Sequence, residues 1–250
     1  MSEVKLPSRI LRRFVETAAV ELGTDQFHAM LALSKLPAEW AEPQTFRKAS
    51  PVDAAKTYAT MQAAMRTYYG RGARGVLLRV GQRLWDLLLA DAALGGKTQA
   101  ALIKRLPLST RPKAVLELLA RSIGAKAGEI TVHTLDLDLL LVDHASPTAR
   151  DQYAPHPICF VTQGLIRESL FWATGQGFDV EETSCKATGQ ATCEFKVTSG
   201  RRSRKLSNQD FAFRTRSIFT FRAGSLTRFR PRRPSPLFTG WASIPGAMPM

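Results

Sequence analysis

Apolar residues recur at spacings of three and four over residues 7–22 and again over 26–36, with Gly23 and Pro37 as stops, which predicts a helical hairpin. A connector rich in proline and charge covers 37–49. Ser50-Pro51-Val52-Asp53 then reads as a helix start, with Ser50 as the cap and Pro51 at the first helical position. The helix it opens runs to about Tyr69 and places Tyr58, Met61, Met65 and Tyr68 near one face. After a glycine-rich break, Val76, Val80, Leu84, Leu87 and Leu88 mark a fourth helix over 76–89. Gly81 lies in its interior, where glycine loses about 1 kcal/mol relative to alanine, so a closely packed neighbour is expected there. A short helical piece over 102–106 and a fifth helix over 110–127 follow.

Beyond Gly128 the period changes to two. Ile130 and Val132 alternate, then Leu135, Leu137, Leu139 and Leu141 alternate with Asp136 and Asp138, which predicts a strand with one buried face. The slip in parity places a bulge or turn near His133 and Thr134. A polar loop, 144–157, separates this strand from a helix over 160–174 that Gly175 ends. Two strands, 178–184 and 192–198, close the pattern around a hairpin loop at 186–190, with Cys193, Phe195 and Val197 on one face. The predicted class is α+β, with N-terminal helices packed on a late antiparallel sheet.

Composition adds a division. Of 250 residues, 44% are apolar and 22% charged, as in an ordinary globular protein. The net charge of +14 is uneven: beyond Gly200 eleven Lys and Arg face the single acid Asp210, so the last fifty residues carry +10 of it. One domain is therefore expected over 1–199, helical to 127 and sheet-containing over 128–199, followed by a basic, disordered tail over 200–250. The tail interleaves Arg214, Arg216, Arg222 and Arg228 with Phe211, Phe213, Phe219 and Phe221, a pattern that suits single-stranded nucleic acid or an anionic membrane; an extension that binds neither is the plainer reading. No apolar run approaches the roughly 20 residues of a membrane-spanning helix. The segment 6–22 carries Arg9, Arg12, Arg13, Glu16 and Glu21, so it reads as amphipathic rather than secretory, and a cytoplasmic protein is expected.

Three cysteines in such a chain favour reduced thiols or thiolate ligands over disulfides. A hairpin brings its strand ends together, so Cys185 and Cys193 can share a coordination sphere with Cys159 at the start of the preceding helix. A tetrahedral site needs a fourth ligand. Glu182, three residues before Cys185, is one candidate; Glu181, His156 and His144 are others, and three inert buried thiols are the alternative to any metal. Gly70–Gly75 satisfies G-x-G-x-x-G, yet a helix precedes it where a dinucleotide site requires a strand. His28, His133, His144 and His156 have no nucleophile motif nearby, and Asp136 and Asp138 read as a solvated edge, so no catalytic residue is predicted.

The stretch HPICFVTQGLIRESLFWATGQGFDVEETSCKATGQATCEFKV (156–197) resembles the signature of 4-vinyl-reductase (4VR) domains: a Cys before a glycine-bearing helix, an acidic strand ending in E-x-x-C, and a closing C-x-F. HAMLALSKLP (28–37), YYGRGARG (68–75) and LPLSTRPKAVLELLA (106–120) resemble stand-alone bacterial members, so the similarity extends over nearly all of 1–199. That resemblance implies a fold shared with subunits of vesicle-tethering (TRAPP) complexes. In the related ligand-sensing domains of phenol-responsive activators, three cysteines and a glutamate hold zinc, which here implies a structural Cys3Glu site of Cys159, Glu182, Cys185 and Cys193. It also implies a pocket for a small apolar or aromatic molecule between sheet and helices, with Leu137, Leu139, Phe160, Phe171 and Trp172 as candidate lining. Val180 stands where the phenol sensors carry an aromatic residue, implying a less polar ligand. Many relatives carry a further cysteine pair in the loop before the first matching Cys, and 143–157 has none. A non-enzymatic hydrocarbon-binding protein is the leading expectation. An accessory or pigment-carrying part in 4-vinyl reduction during bacteriochlorophyll synthesis, without a nicotinamide or flavin fingerprint, and a homodimeric interaction scaffold are the alternatives.

Overall fold

The computed structural model describes residues 5–42, 45–46 and 53–199. The cap expected at Ser50 and Pro51 and the basic segment 200–250 lie outside the described residues. Helix α1 (Ser8–Leu22) buries Ile10, Leu11, Phe14, Val15 and Ala18 on one stripe, and Gly23, at φ 77°, turns the chain into α2 (Thr24–Leu33). Helix α3 (Ala54–Tyr69) begins after Asp53, whose carboxylate accepts from the Lys56 amide at 3.0 Å. Tyr58, Met61 and Met65 are buried on α3 as expected, whereas Tyr68 is exposed and meets Tyr69 edge to face.

A short 3-10 turn, Gly70–Gly72, joins α3 to α4 (Ala73–Ala90), so a helix does precede the glycine-rich run. Helix α5 (Leu94–Ile103) lies earlier than the short piece expected over 102–106, and α6 (Arg111–Ser122) ends before the expected 127. Ion pairs tie α1 to α4. Arg13 forms a two-pronged pair with Asp91, Nε to Oδ2 at 2.6 Å, and Glu21 receives both Arg79 and Arg83.

The region 130–143 is two strands rather than one. Strand β1 (Ile130–Leu135) pairs antiparallel with β2 (Asp138–Asp143) from Leu135 opposite Asp138 to Ile130 opposite Asp143. The turn falls at Asp136 and Leu137, not at His133 and Thr134, because Asp136 accepts a left-handed φ of 49° that a β-branched residue resists. A two-residue turn puts Leu135 and Asp138 on the same face, so Leu135 is exposed although Leu139 and Leu141 point inward.

Helix α7 (Phe160–Thr174) leads to β3 (Phe178–Ser184) and β4 (Cys193–Ser199). The sheet order is β1-β2-β4-β3, antiparallel throughout. Its inner face carries Leu141, Val180, Cys193, Phe195 and Val197, all buried, with α6 and α7 laid against the sheet. This is the α+β arrangement expected, helices first and antiparallel sheet last.

Helices α4 and α7 approach unusually closely. A Cβ placed on Gly81 would stand 2.2 Å from the Val161 carbonyl oxygen, and one on Gly164 would stand 2.2 Å from that of Leu78. The neighbour that Gly81 predicts is therefore the backbone of α7, and each glycine leaves room for the other helix. Among the described residues, no helix is long and apolar enough to cross a membrane.

Candidate metal centre and adjoining groove

Three elements deliver the thiols. Cys159 immediately precedes α7, Cys185 follows β3, and Cys193 opens β4 opposite Asp143 of β2. The loop between Cys185 and Cys193 is closed by a 3-10 turn (Lys186–Thr188) and by Gly189, whose φ of 89° suits the residue without a side chain. All three thiols are buried and free. Their sulfurs lie 3.5 Å (159 to 193), 3.9 Å (159 to 185) and 3.9 Å (185 to 193) apart. Glu182 points from β3 into the same space, and the four ligand atoms fall within 4.8 Å of one another.

Of the four candidates for the fourth position, the structure brings in Glu182. Glu181, His156 and His144 are exposed and stand outside the cluster. A bulge between Glu182 and Ser184 in the β3–β4 ladder accompanies this placement. Glu182 Oε2 accepts the Cys159 backbone N–H at 2.9 Å, while Oε1 is buried without a hydrogen-bond partner among the described residues.

The donor set fits a soft divalent cation. Thiolates about 2.3 Å from a tetrahedral zinc stand about 3.8 Å apart, which is the separation seen here. A buried carboxylate oxygen with no donor is also what a metal ligand looks like before its cation is counted. Without a cation the four groups resist joint ionisation. Burial, reinforced by Cys185, pushes the Glu182 carboxyl up to about 8. Contacts with Cys185 and Cys193, then burial, raise the Cys159 thiol well above its ordinary value, and contacts with Cys159 and Cys193 lower that of Cys185. Contact with Cys159 lowers the Cys193 thiol, but Cys185 and burial outweigh it and carry the group to about 12. One negative charge is tolerable in such a cluster; several require a positive partner.

Sequence reasoning missed the groups surrounding the thiols. Ser146 Oγ lies 3.1 Å from the Cys193 sulfur and 3.5 Å from that of Cys159, and the Lys186 amide donates to Cys193 Sγ at 3.3 Å. Ser146 is held at a left-handed φ of 41°, its amide donating to Asp143 Oδ1 at 2.7 Å. Asp143 also accepts from the Ala145 amide, and burial raises its carboxyl to about 6. The run Asp143-His144-Ala145-Ser146 does suggest a side-chain-capped turn, but nothing local aims that turn at residues 159 and 193.

At the opposite end of the sheet lies a groove of about 770 Å³. Leu137 and Leu139, two of the expected pocket residues, line it together with Leu108, Pro112, Phe178 and Val197. The other four stand elsewhere: Phe160 lies beneath Arg74, Phe171 is exposed, Trp172 packs edge-on against Trp85 beneath Lys104, and Val180 is sealed in the core. The Val180 carbonyl accepts from Gln163 and Arg167.

Residues 143–199, which contain all four cluster residues, match the family model of the V4R domain. Among solved structures, the chain is similar to the phenol-responsive sensory domain of the transcription activator PoxR with phenol, at 15% identity and TM-score 0.41, covering 63% of this chain and 80% of that one. It is also similar to an H-NOX protein from S. oneidensis in the Fe(II)NO ligation state, at 13% identity and TM-score 0.46, covering 77% and 98%. No curated protein matches the chain.

Proposed function

We propose that this protein binds a small apolar or aromatic molecule in the groove between the β1–β2 turn and the start of α6, and that a structural zinc ion held by Cys159, Glu182, Cys185 and Cys193 fixes the hairpin on which the sheet closes. The observation that carries the reading is the convergence of three thiols and an unpartnered carboxylate oxygen inside the V4R segment. All four tetrahedral positions are then occupied by side chains, leaving none for water or substrate, which favours a structural over a catalytic ion. The ion supplies the positive charge that lets the thiols ionise together. The chain supplies the rest: the Cys159 amide orients Glu182, the Lys186 amide donates to the Cys193 sulfur, and the Ser146 hydroxyl lies 3.1 Å from that sulfur.

The groove offers this ligand class an apolar strip where Leu108, Leu139, Phe178 and Val197 meet, bordered by polar and charged residues that include Lys113, Asp136, Asp138 and Gln176. Elemental analysis of the purified protein, followed by thermal shift against a panel of aromatic and aliphatic molecules, tests both halves. One zinc per chain is expected, with stabilisation by at least one ligand class that Leu139→Trp abolishes without loss of zinc. A metal-free, correctly folded protein would overturn the zinc assignment, and stabilisation unaffected by Leu139→Trp would overturn the placement in the groove. Sedimentation of the same sample measures the homodimer expected from the family resemblance.

A further inference from the structure

Three thiolates and one carboxylate around a divalent cation leave the centre with a net charge of about −2, and a buried negative charge is costly unless a cation faces it. A partly buried basic side chain outside the cluster interacts electrostatically with two of these sulfurs. Arg66 sits on α3, outside the V4R segment. Burial lowers the pKa of its guanidinium, while Cys159 and Cys185 act on it in the opposite direction, favouring its charge. Its Nη2 donates to Gln152 Oε1 at 3.0 Å, whereas Nη1 is buried with no hydrogen-bond partner among the described residues.

The packing shows why Arg66 is there. Helix α3 lies against the 3-10 turn Pro147–Ala149, next to Ser146, the residue whose hydroxyl reaches two of the sulfurs. One turn earlier on the same face of α3, Gln62 donates to Thr148 Oγ1 at 3.2 Å. Gln62 and Arg66 thus grip this loop from outside, at residues 148 and 152. The other cations nearby are engaged elsewhere: Lys186 Nζ donates to the His144 carbonyl, and Arg150 pairs with Asp53.

We propose that Arg66 is the counter-cation of the metal centre, a positioning residue that never touches the ion and lowers the electrostatic cost of holding three thiolates and a carboxylate together. The inference rests on the metal reading above, and it assigns to a helix outside the V4R segment a part in retaining the ion.

The test compares full-length wild type with Arg66→Met, which keeps the length and removes the charge, and Arg66→Lys, which keeps the charge. Zinc affinity is measured by competition with a chromophoric chelator, and helical content by circular dichroism. Should Arg66→Met lose its helical signal, Arg66→Gln takes its place. Arg66→Met is expected to bind zinc about tenfold or more weakly, in the range found when groups supporting metal ligands are removed, with Arg66→Lys restoring most of the loss. Cobalt-loaded samples should show the same thiolate charge-transfer bands in all three proteins, since the ligands themselves are untouched. Affinity in the uncharged variant within twofold of wild type, or failure of Lys to rescue it, would overturn the assignment of Arg66 while leaving the metal site standing. Wild type that takes up no metal would overturn the metal reading, and this inference with it.

Discussion

A few side chains set the local chemistry, and each does so through a contact that a single substitution can remove. Gly81 illustrates the steric case. Alanine at this position would drive its methyl group into the Val161 carbonyl oxygen, and backbone cannot rotate aside as a flexible side chain can. Gly81→Ala is therefore expected to destabilise the fold by about 3 kcal/mol, at the upper end of the usual range for overpacking, although alanine is intrinsically the better helix former. Urea unfolding followed by circular dichroism checks this, and a stabilised variant would show that the two helices can separate at little cost. Gly81 was legible in the sequence because an interior helix glycine demands a reason. Ser146 and Arg66 were not, since their relevance depends on loop and helix positions that no local pattern encodes.

Elements are held by capping, pairing and charge. The Arg13–Asp91 pair joins α1 to the C-terminal end of α4, and the side-chain hydrogen bonds from Arg13 lower the Asp91 carboxyl below its ordinary value. A depressed acid adds stability that is fully present above the unfolded value of about 3.9 and is lost as pH falls through the folded value. The wild type should thus exceed Asp91→Asn by a constant margin near neutral pH, and the margin should vanish as the pH drops well below about 4. Because the pair is partly solvated, the margin should stay below about 1 kcal/mol. Denaturant titrations of both proteins across pH 2.5–7 measure it, and a margin that grows on acidification would contradict the assignment. At this scale the sequence revealed the helices with strong apolar stripes and the terminal hairpin. It concealed the β1–β2 turn, because the alternating leucines run straight through Asp136 and Leu137 and imitate one continuous strand. It also concealed α5, whose paired glycines, Gly95 and Gly96, read locally as a break.

For the molecule as a whole, the metal and the core make separable contributions to stability. The core is large, running from Leu11 and Phe14 through Trp85 to Phe195, so the helical part should survive removal of the ion. A tightly held ion stabilises the native state in proportion to the logarithm of its excess over Kd, about 4 kcal/mol at a thousandfold excess. Stripping zinc with a chelator should therefore lower the melting temperature by roughly 10 °C in a chain of this size while most far-ultraviolet ellipticity remains. An unchanged melting temperature after verified metal loss would mean that the thiols pack as well without it. The candidate site was readable at this scale from spacing and family resemblance, since E-x-x-C and a hairpin fix Glu182, Cys185 and Cys193 on adjoining strand ends. Leu137 and Leu139 line the groove, but its other walls come from α6, β3 and β4, which are remote in the chain and share no local pattern with them.

The mutual indentation of α4 and α7 carries a mechanical corollary. Where main chain rests on main chain there is no set of rotamers to reshuffle and no cushion of side chains to absorb a displacement. The two rods are thereby pinned at one bearing, and a push delivered to the sulfur end of one must tilt the other rather than slip past it. The N-terminal helices braced on α4 would feel that tilt as a lever arm does, far from where the force was applied.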